Sequence, residues 1–64
     1  ELIVRGDRAQ KRFSVWYFQM GRLLSVDAVN DPAAFAVSKK LVGRAVDARK
    51  NLENPAFDIK SLLL

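Results

Sequence analysis

The sequence contains no cysteine and no histidine. These two absences exclude thiolate catalysis, disulfide cross-links, Cys/His zinc sites and every nucleophile–histidine–carboxylate triad. Glycine is scarce as well. Gly6, Gly21 and Gly43 stand far apart, so there is no glycine-rich loop to cradle a phosphate. Long apolar runs are also missing: the longest run of large apolar side chains is Val15-Trp16-Tyr17-Phe18, against the roughly 20 residues that a membrane-spanning helix requires. The chain opens at Glu1 without an initiator methionine or a charged-then-apolar leader and passes straight into Leu2-Ile3-Val4. No signal peptide is read there, and the expectation is a segment cut from something longer.

What is present has the balance of a folded domain. Of the 64 residues, 50% are hydrophobic and 28% charged, which is unlike a disordered tail. A chain of this length buries only about 60% of the surface its unfolded form exposes. One small core is therefore expected, with no room for a deep cofactor cleft walled by this chain alone. The 11 Lys and Arg outnumber the 7 Asp and Glu for a net charge of +4, which favours an acidic partner: nucleic acid, an anionic membrane or an acidic protein.

The first half alternates with the two-residue period of half-buried strands and is divided by turn signals at Gly6-Asp7 and Met20-Gly21. Three strands are predicted: Leu2 to Arg5, Lys11 to Phe18, and Arg22 to Val29. A hairpin centred on Met20-Gly21 sets Tyr17 opposite Leu24, Val15 opposite Val26 and Phe13 opposite Ala28. All six are apolar, so that face is predicted to be the core side. The other face takes Phe18 with Leu23, Trp16 with Ser25 and Ser14 with Asp27, and is expected to be only partly covered. Asn30-Asp31-Pro32 then ends the sheet and opens a helix, with Asp31 as N-cap and Pro32 in the first turn. From Ala33 to about Val46 the period becomes 3.6, with Ala34, Val37, Ser38, Leu41, Val42 and Ala45 on one stripe and Phe35 at its edge. Lys39, Lys40 and Arg44 are predicted on the opposite side. Asp47 is placed to cap a short turn from Ala48 to Leu52, ended by Asn54-Pro55, and the tail from Ala56 to Leu64 is expected to dock through Phe57, Ile59, Leu62 and Leu63. The predicted class is α+β: a three-stranded antiparallel sheet, one main helix and a short C-terminal helical segment.

Few motifs carry chemistry. Arg5-Gly6-Asp7 spells a tripeptide of cell-adhesion ligands, yet Gly-Asp at a strand end is also what a chain reversal needs, and the turn is the preferred reading. Lys11-Arg12 ahead of Phe13, Trp16, Tyr17 and Phe18 is superficially like a ribonucleoprotein strand, but it lacks that motif's glycines. Core packing is favoured there over base stacking, because Phe13 and Tyr17 fall on the face assigned to the core. The carboxylates Asp7, Asp27, Asp31, Asp47, Glu53 and Asp58 are dispersed and, except for Asp27, lie near turns and helix starts. They suggest no acid–base pair, so no catalytic residue and no metal ligand is assigned. The basic side of the helix, Lys39, Lys40 and Arg44, is the candidate contact surface, although amphipathic helices routinely carry their charges outward. A small basic nucleic-acid-binding module is the alternative class; its affinity would fall steeply with salt.

Taken in order, Leu2-Ile3-Val4-Arg5-Gly6-Asp7, Phe13-Ser14-Val15-Trp16-Tyr17-Phe18, the segment from Gly21 to Asn30 with Val26-Asp27-Ala28-Val29-Asn30 ahead of Pro32, and Ile59-Lys60-Ser61-Leu62-Leu63 resemble a known domain. It is similar to the C-terminal domain of the FAD-dependent, NAD(P)H-oxidising ferredoxin reductases that serve Rieske oxygenases and some cytochromes P450, the putidaredoxin-reductase-like family. The resemblance runs from Glu1 to about Leu63. It implies a cytoplasmic parent flavoprotein in which hydride passes from nicotinamide to FAD and single electrons pass to an iron–sulfur ferredoxin, chemistry that belongs to the cofactor. The FAD and NAD(P)H domains of that family, and the aromatic segment that approaches the flavin, are not in these 64 residues. This chain alone is therefore expected to be no enzyme and to bind neither cofactor, and Trp16 is not the flavin-side tryptophan but a structural strand residue. By resemblance Lys39 and Lys60 occupy positions that can face the acidic ferredoxin, which completes the expected partner surface as Lys39, Lys40, Arg44 and Lys60. The missing part of the sheet leaves a strand edge through which a homodimer or higher assembly is expected, or else a partly molten monomer.

Overall fold

A computed structural model describes residues 1–46 and 49–63. The elements are β1 (Leu2–Asp7), β2 (Arg12–Gln19), β3 (Arg22–Val29), α1 (Pro32–Leu41), α2 (Arg49–Leu52) and a C-terminal 3₁₀ helix (Ile59–Leu63). The strands form one antiparallel sheet in the order β1-β2-β3, so the class is α+β as predicted. The first reversal lies later than the Gly6-Asp7 signal suggests. β1 continues through Asp7, whose Oδ1 accepts from the Ala9 N–H at 2.8 Å, and Lys11 N–H closes the turn on the Arg8 carbonyl at 3.1 Å. The second reversal is a two-residue turn between paired Gln19 and Arg22, with Met20 at φ 53 and Gly21 at φ 81. Two successive positive φ values belong to the type I′ turn, whose twist suits a hairpin.

On β2 the face that forms the core is the opposite of the one predicted, whereas Val26 and Ala28 of β3 pack against the core as expected. The expected register holds only beside the turn, where Phe18 pairs with Leu23 and Gln19 with Arg22. Beyond it a bulge intervenes, and Tyr17 pairs with Ser25, Trp16 with Val26, Val15 with Asp27, Ser14 with Ala28 and Phe13 with Val29. Leu24 is the extra residue. Such a bulge shifts the alternation by one position, so Leu23, Val26 and Ala28 come to lie on the same side as Phe18, Trp16 and Ser14. That side, with Ile3, packs under α1. Trp16 is fully buried and its indole N–H donates to the Ser14 hydroxyl at 2.8 Å, which satisfies the one polar atom of the ring inside the core.

α1 begins as predicted, with Pro32 in its first turn and the Asp31 carboxylate accepting from the Ala34 N–H at 3.1 Å. Its buried stripe is Ala34, Val37, Ser38 and Leu41. The helix ends at Leu41 rather than near Val46: Val42 leaves helical angles and Gly43 follows at φ 89, a common helix-ending conformation. Val42 and Ala45 are consequently exposed, while Val46 is buried. In the tail, Ile59 is buried, Phe57 and Leu62 pack against the core, and Leu63 is exposed. The predicted capping role of Asp47 and the start of the next turn at Ala48 lie outside the described residues, as does Leu64.

Candidate docking surface

Two helical elements carry three of the predicted basic residues. α1 packs against the C-terminal 3₁₀ helix, so Lys39 and Lys40 in the last turn of one and Lys60 in the other sit on neighbouring elements. All three are exposed. Lys39 is held in place: its Nζ lies 4.3 Å from the centroid of the Phe35 ring, a cation–π contact one helical turn apart. Phe35 itself is 55% exposed, so the patch combines an apolar ring with fixed positive charge. Lys60 is positioned by Asp58, whose Oδ1 accepts from the Lys60 N–H at 3.0 Å. Arg44 is exposed too, but it does not belong to the helix face. It lies on the returning segment, where its carbonyl accepts from the Leu23 N–H at 3.0 Å. The 3.6-residue pattern continues past Leu41 in the sequence, and only Gly43 marks the break.

Arg5 is the residue that sequence reasoning missed. It is 9% exposed, and its guanidinium donates to the carbonyls of Leu52 (3.4 Å), Asn54 (2.7 Å), Pro55 (3.3 Å) and Phe57. Its partners among the described residues are all main-chain oxygens, so Arg5 clamps the segment that leads to Ile59 and Lys60 onto the sheet. The signal available in the sequence was strand parity, which places Arg5 on the side of Ile3. The same burial overturns the adhesion reading of Arg5-Gly6-Asp7, since the arginine is not displayed.

Among the described residues, no helix covers the other face of the sheet. Leu2 is 55% and Leu24 51% exposed, with Val4, Phe13 and Tyr17 half-buried around them. Phe13 and Tyr17, predicted to be core, are on this open side. The Arg8 guanidinium lies 5.8 Å from the Phe13 ring centroid, and the Tyr17 hydroxyl donates to Asp27 Oδ2 at 2.9 Å. That bond, then burial and the negative charge of Asp27, push the phenol above its ordinary range, with Arg8 opposing.

The residues do not fit a dinucleotide site of their own. A phosphate-binding loop needs consecutive backbone N–H groups that a ligand can approach. Gly6 is backed directly by main chain, because a Cβ there would meet the Arg12 carbonyl oxygen at 2.5 Å, and Gly21 and Gly43 sit singly at turns with open space beside them. Among the described residues no group of three His, Cys, Asp or Glu side chains could hold a metal ion, and no helix is long and apolar enough to cross a membrane.

Comparison with known proteins places this architecture. The model of the family "Reductase C-terminal" matches residues 1–63. The chain belongs to that family. Among its relatives, putidaredoxin reductase CamA of Pseudomonas putida is 45% identical over 51 residues, covering 80% of this chain and 12% of the relative. A probable ferredoxin reductase, CtmF of Castellaniella defragrans, is 35% identical over 63 residues, covering 97% of this chain and 15% of the relative. The chain thus spans only a small part of the length of these reductases. No solved structure gives a significant match. As a Reductase C-terminal domain, the chain is related to oxidoreductases named for ferredoxin and putidaredoxin, and the buried Trp16 is a structural element of its sheet.

Proposed function

We propose that this chain is the C-terminal domain of a flavoprotein reductase that passes electrons from NAD(P)H through FAD to an acidic iron–sulfur ferredoxin. The cofactors are held by the FAD and NAD(P)H domains of the same polypeptide. This domain supplies structural support through its open sheet face and presents Lys39, Lys40, Arg44 and Lys60 to the partner. The observation that carries the reading is the pairing of α1 with the 3₁₀ helix, which sets Lys39 and Lys60 on adjoining elements beside an exposed Phe35. Exposed charges of this kind accelerate encounter more than they hold a complex, and salt screens them beyond about 8 Å at physiological ionic strength.

The test is a pair of assays on the full reductase polypeptide carrying Lys39→Glu and Lys60→Glu together. Electron transfer to the ferredoxin is expected to slow at low ionic strength, while NAD(P)H oxidation by ferricyanide stays nearly unchanged. If both activities fell together, the substitutions would be acting on folding or on the flavin. If neither changed, the lysines would be plain solvated surface.

A further inference from the structure

The β2–β3 hairpin is tipped by Met20, which is 98% exposed at φ 53. Both properties run against the needs of the turn itself. A type I′ turn is best served by Asn-Gly or Gly-Gly, because a residue with a Cβ resists the left-handed region, and full exposure leaves the thioether without packing in this domain. The tip is nevertheless well anchored. Val46 N–H donates to the Gly21 carbonyl at 3.0 Å, Leu23 N–H to that of Arg44 at 3.0 Å and Gly43 N–H to that of Leu23 at 2.8 Å, and Arg22 Nη1 reaches the Gly43 carbonyl at 3.1 Å.

These bonds join residues 20–23 to residues 43–46 as one knuckle. Its own charged side chains are basic: Arg22 and Arg44 are exposed, and Lys39 and Lys40 precede it in the last turn of α1, while Glu1 pairs through its main chain with Phe18, two residues from Met20. Val42, half-exposed, lies beside it in the chain. An apolar side chain held outward at an unfavourable backbone angle, among positive charges, has the character of an interface anchor. Methionine suits that role because its unbranched, polarizable side chain adapts to irregular surfaces.

We propose that this knuckle, Met20 with Arg22, Val42 and Arg44, is a second docking element for an acidic protein surface, with Met20 seated in an apolar spot framed by the partner's carboxylates. Charge selects the occupant, since a basic surface would be repelled by Arg22 and Arg44. The proposal rests on the reading of this domain as the partner-docking part of a ferredoxin reductase, and it extends that surface from α1 to the hairpin.

The test compares Met20→Asn and Arg22→Glu with the unsubstituted full reductase, using an acidic iron–sulfur ferredoxin and, separately, ferricyanide as acceptors. Met20→Asn creates the favoured Asn-Gly turn, so Tm should hold or rise. The KM for ferredoxin should nevertheless increase about fivefold, as for loss of a moderate interface anchor, with ferricyanide reduction unchanged. Arg22→Glu should raise the same KM at low ionic strength, and the effect should shrink as salt is added. An unchanged ferredoxin KM in both variants would overturn the knuckle; the broader reading would still stand if the Lys39 and Lys60 substitutions slowed transfer. A Tm lowered by Met20→Asn together with loss of both activities would assign Met20 to the turn and also overturn it. Failure of the unsubstituted enzyme to reduce any ferredoxin would remove both.

Discussion

A guanidinium buried beside a strand must find acceptors, and Arg5 finds four carbonyl oxygens between residues 52 and 57. Removing it takes that donor from four buried or partly buried carbonyl oxygens, of which the one of Asn54 keeps the Phe57 N–H at 3.0 Å, and each buried group left unpaired costs about 1–3 kcal/mol. Arg5→Met is therefore expected to lower stability by about 3 kcal/mol, read from a denaturant midpoint, and amide exchange should show the tail through Lys60 losing protection first. Arg5→Lys should fall between, because an ammonium cannot span the same fork of acceptors. Tyr17 is the second residue with a measurable signature. The hydrogen bond to Asp27 pushes its phenol above the ordinary value of 10.0. A proton held more tightly in the folded state stabilises that state below the unfolded pKa, and the contribution is lost as pH rises through the folded pKa. As the chain has a single tyrosine, ultraviolet titration should give a midpoint above 10.0 that drops in Asp27→Asn.

At the scale of elements, Gly6 and Gly43 do different work. Gly6 has φ 99 within β1, and a Cβ there would meet Arg12 and Phe13 main-chain atoms at 2.5 and 2.9 Å. Gly43 turns the chain out of α1 at φ 89 with open space beside it. Gly6→Ala should be the more damaging, by about 2 kcal/mol or more, since the neighbouring backbone must move. Gly43→Ala carries only the left-handed penalty, about 1 kcal/mol. Thermal melts of the two variants would separate the costs, and equal Tm losses would show that β1 yields easily at Gly6.

At the scale of the whole molecule, the described residues cover the sheet on one side only. Glu1 and Phe18 exchange both main-chain hydrogen bonds, at 2.9 and 2.8 Å, so by alternation the main-chain groups of Leu2, Val4 and Gly6 point away from β2. An open edge next to an exposed apolar face recruits other chains. The 64-residue chain by itself is expected to self-associate in sedimentation equilibrium, and Leu2→Lys with Leu24→Lys should shift it toward monomer. A well-protected monomer at high concentration would show that three strands and α1 suffice.

The sequence by itself determined the class, the three strands, the Asp31-Pro32 helix start and the family, because each rests on local chemistry: turn residues, capping side chains, and the order and spacing of short segments. It also marked Lys39, Lys40 and Lys60 as outward charges, since helical period and tail polarity are local properties. Tertiary structure decided which face of the sheet is the core. The bulge at Leu24 reverses the alternation that Val26 and Ala28 would otherwise follow, and the deep packing of Trp16 with its own Ser14 acceptor favours that side. Tertiary structure alone also decided the fates of Arg5 and Arg44. The first is drawn inward by carbonyls about 50 residues away along the chain, and the second is moved off the helix by hydrogen bonds to β3. Both outcomes depend on partners distant in sequence, which no local pattern encodes.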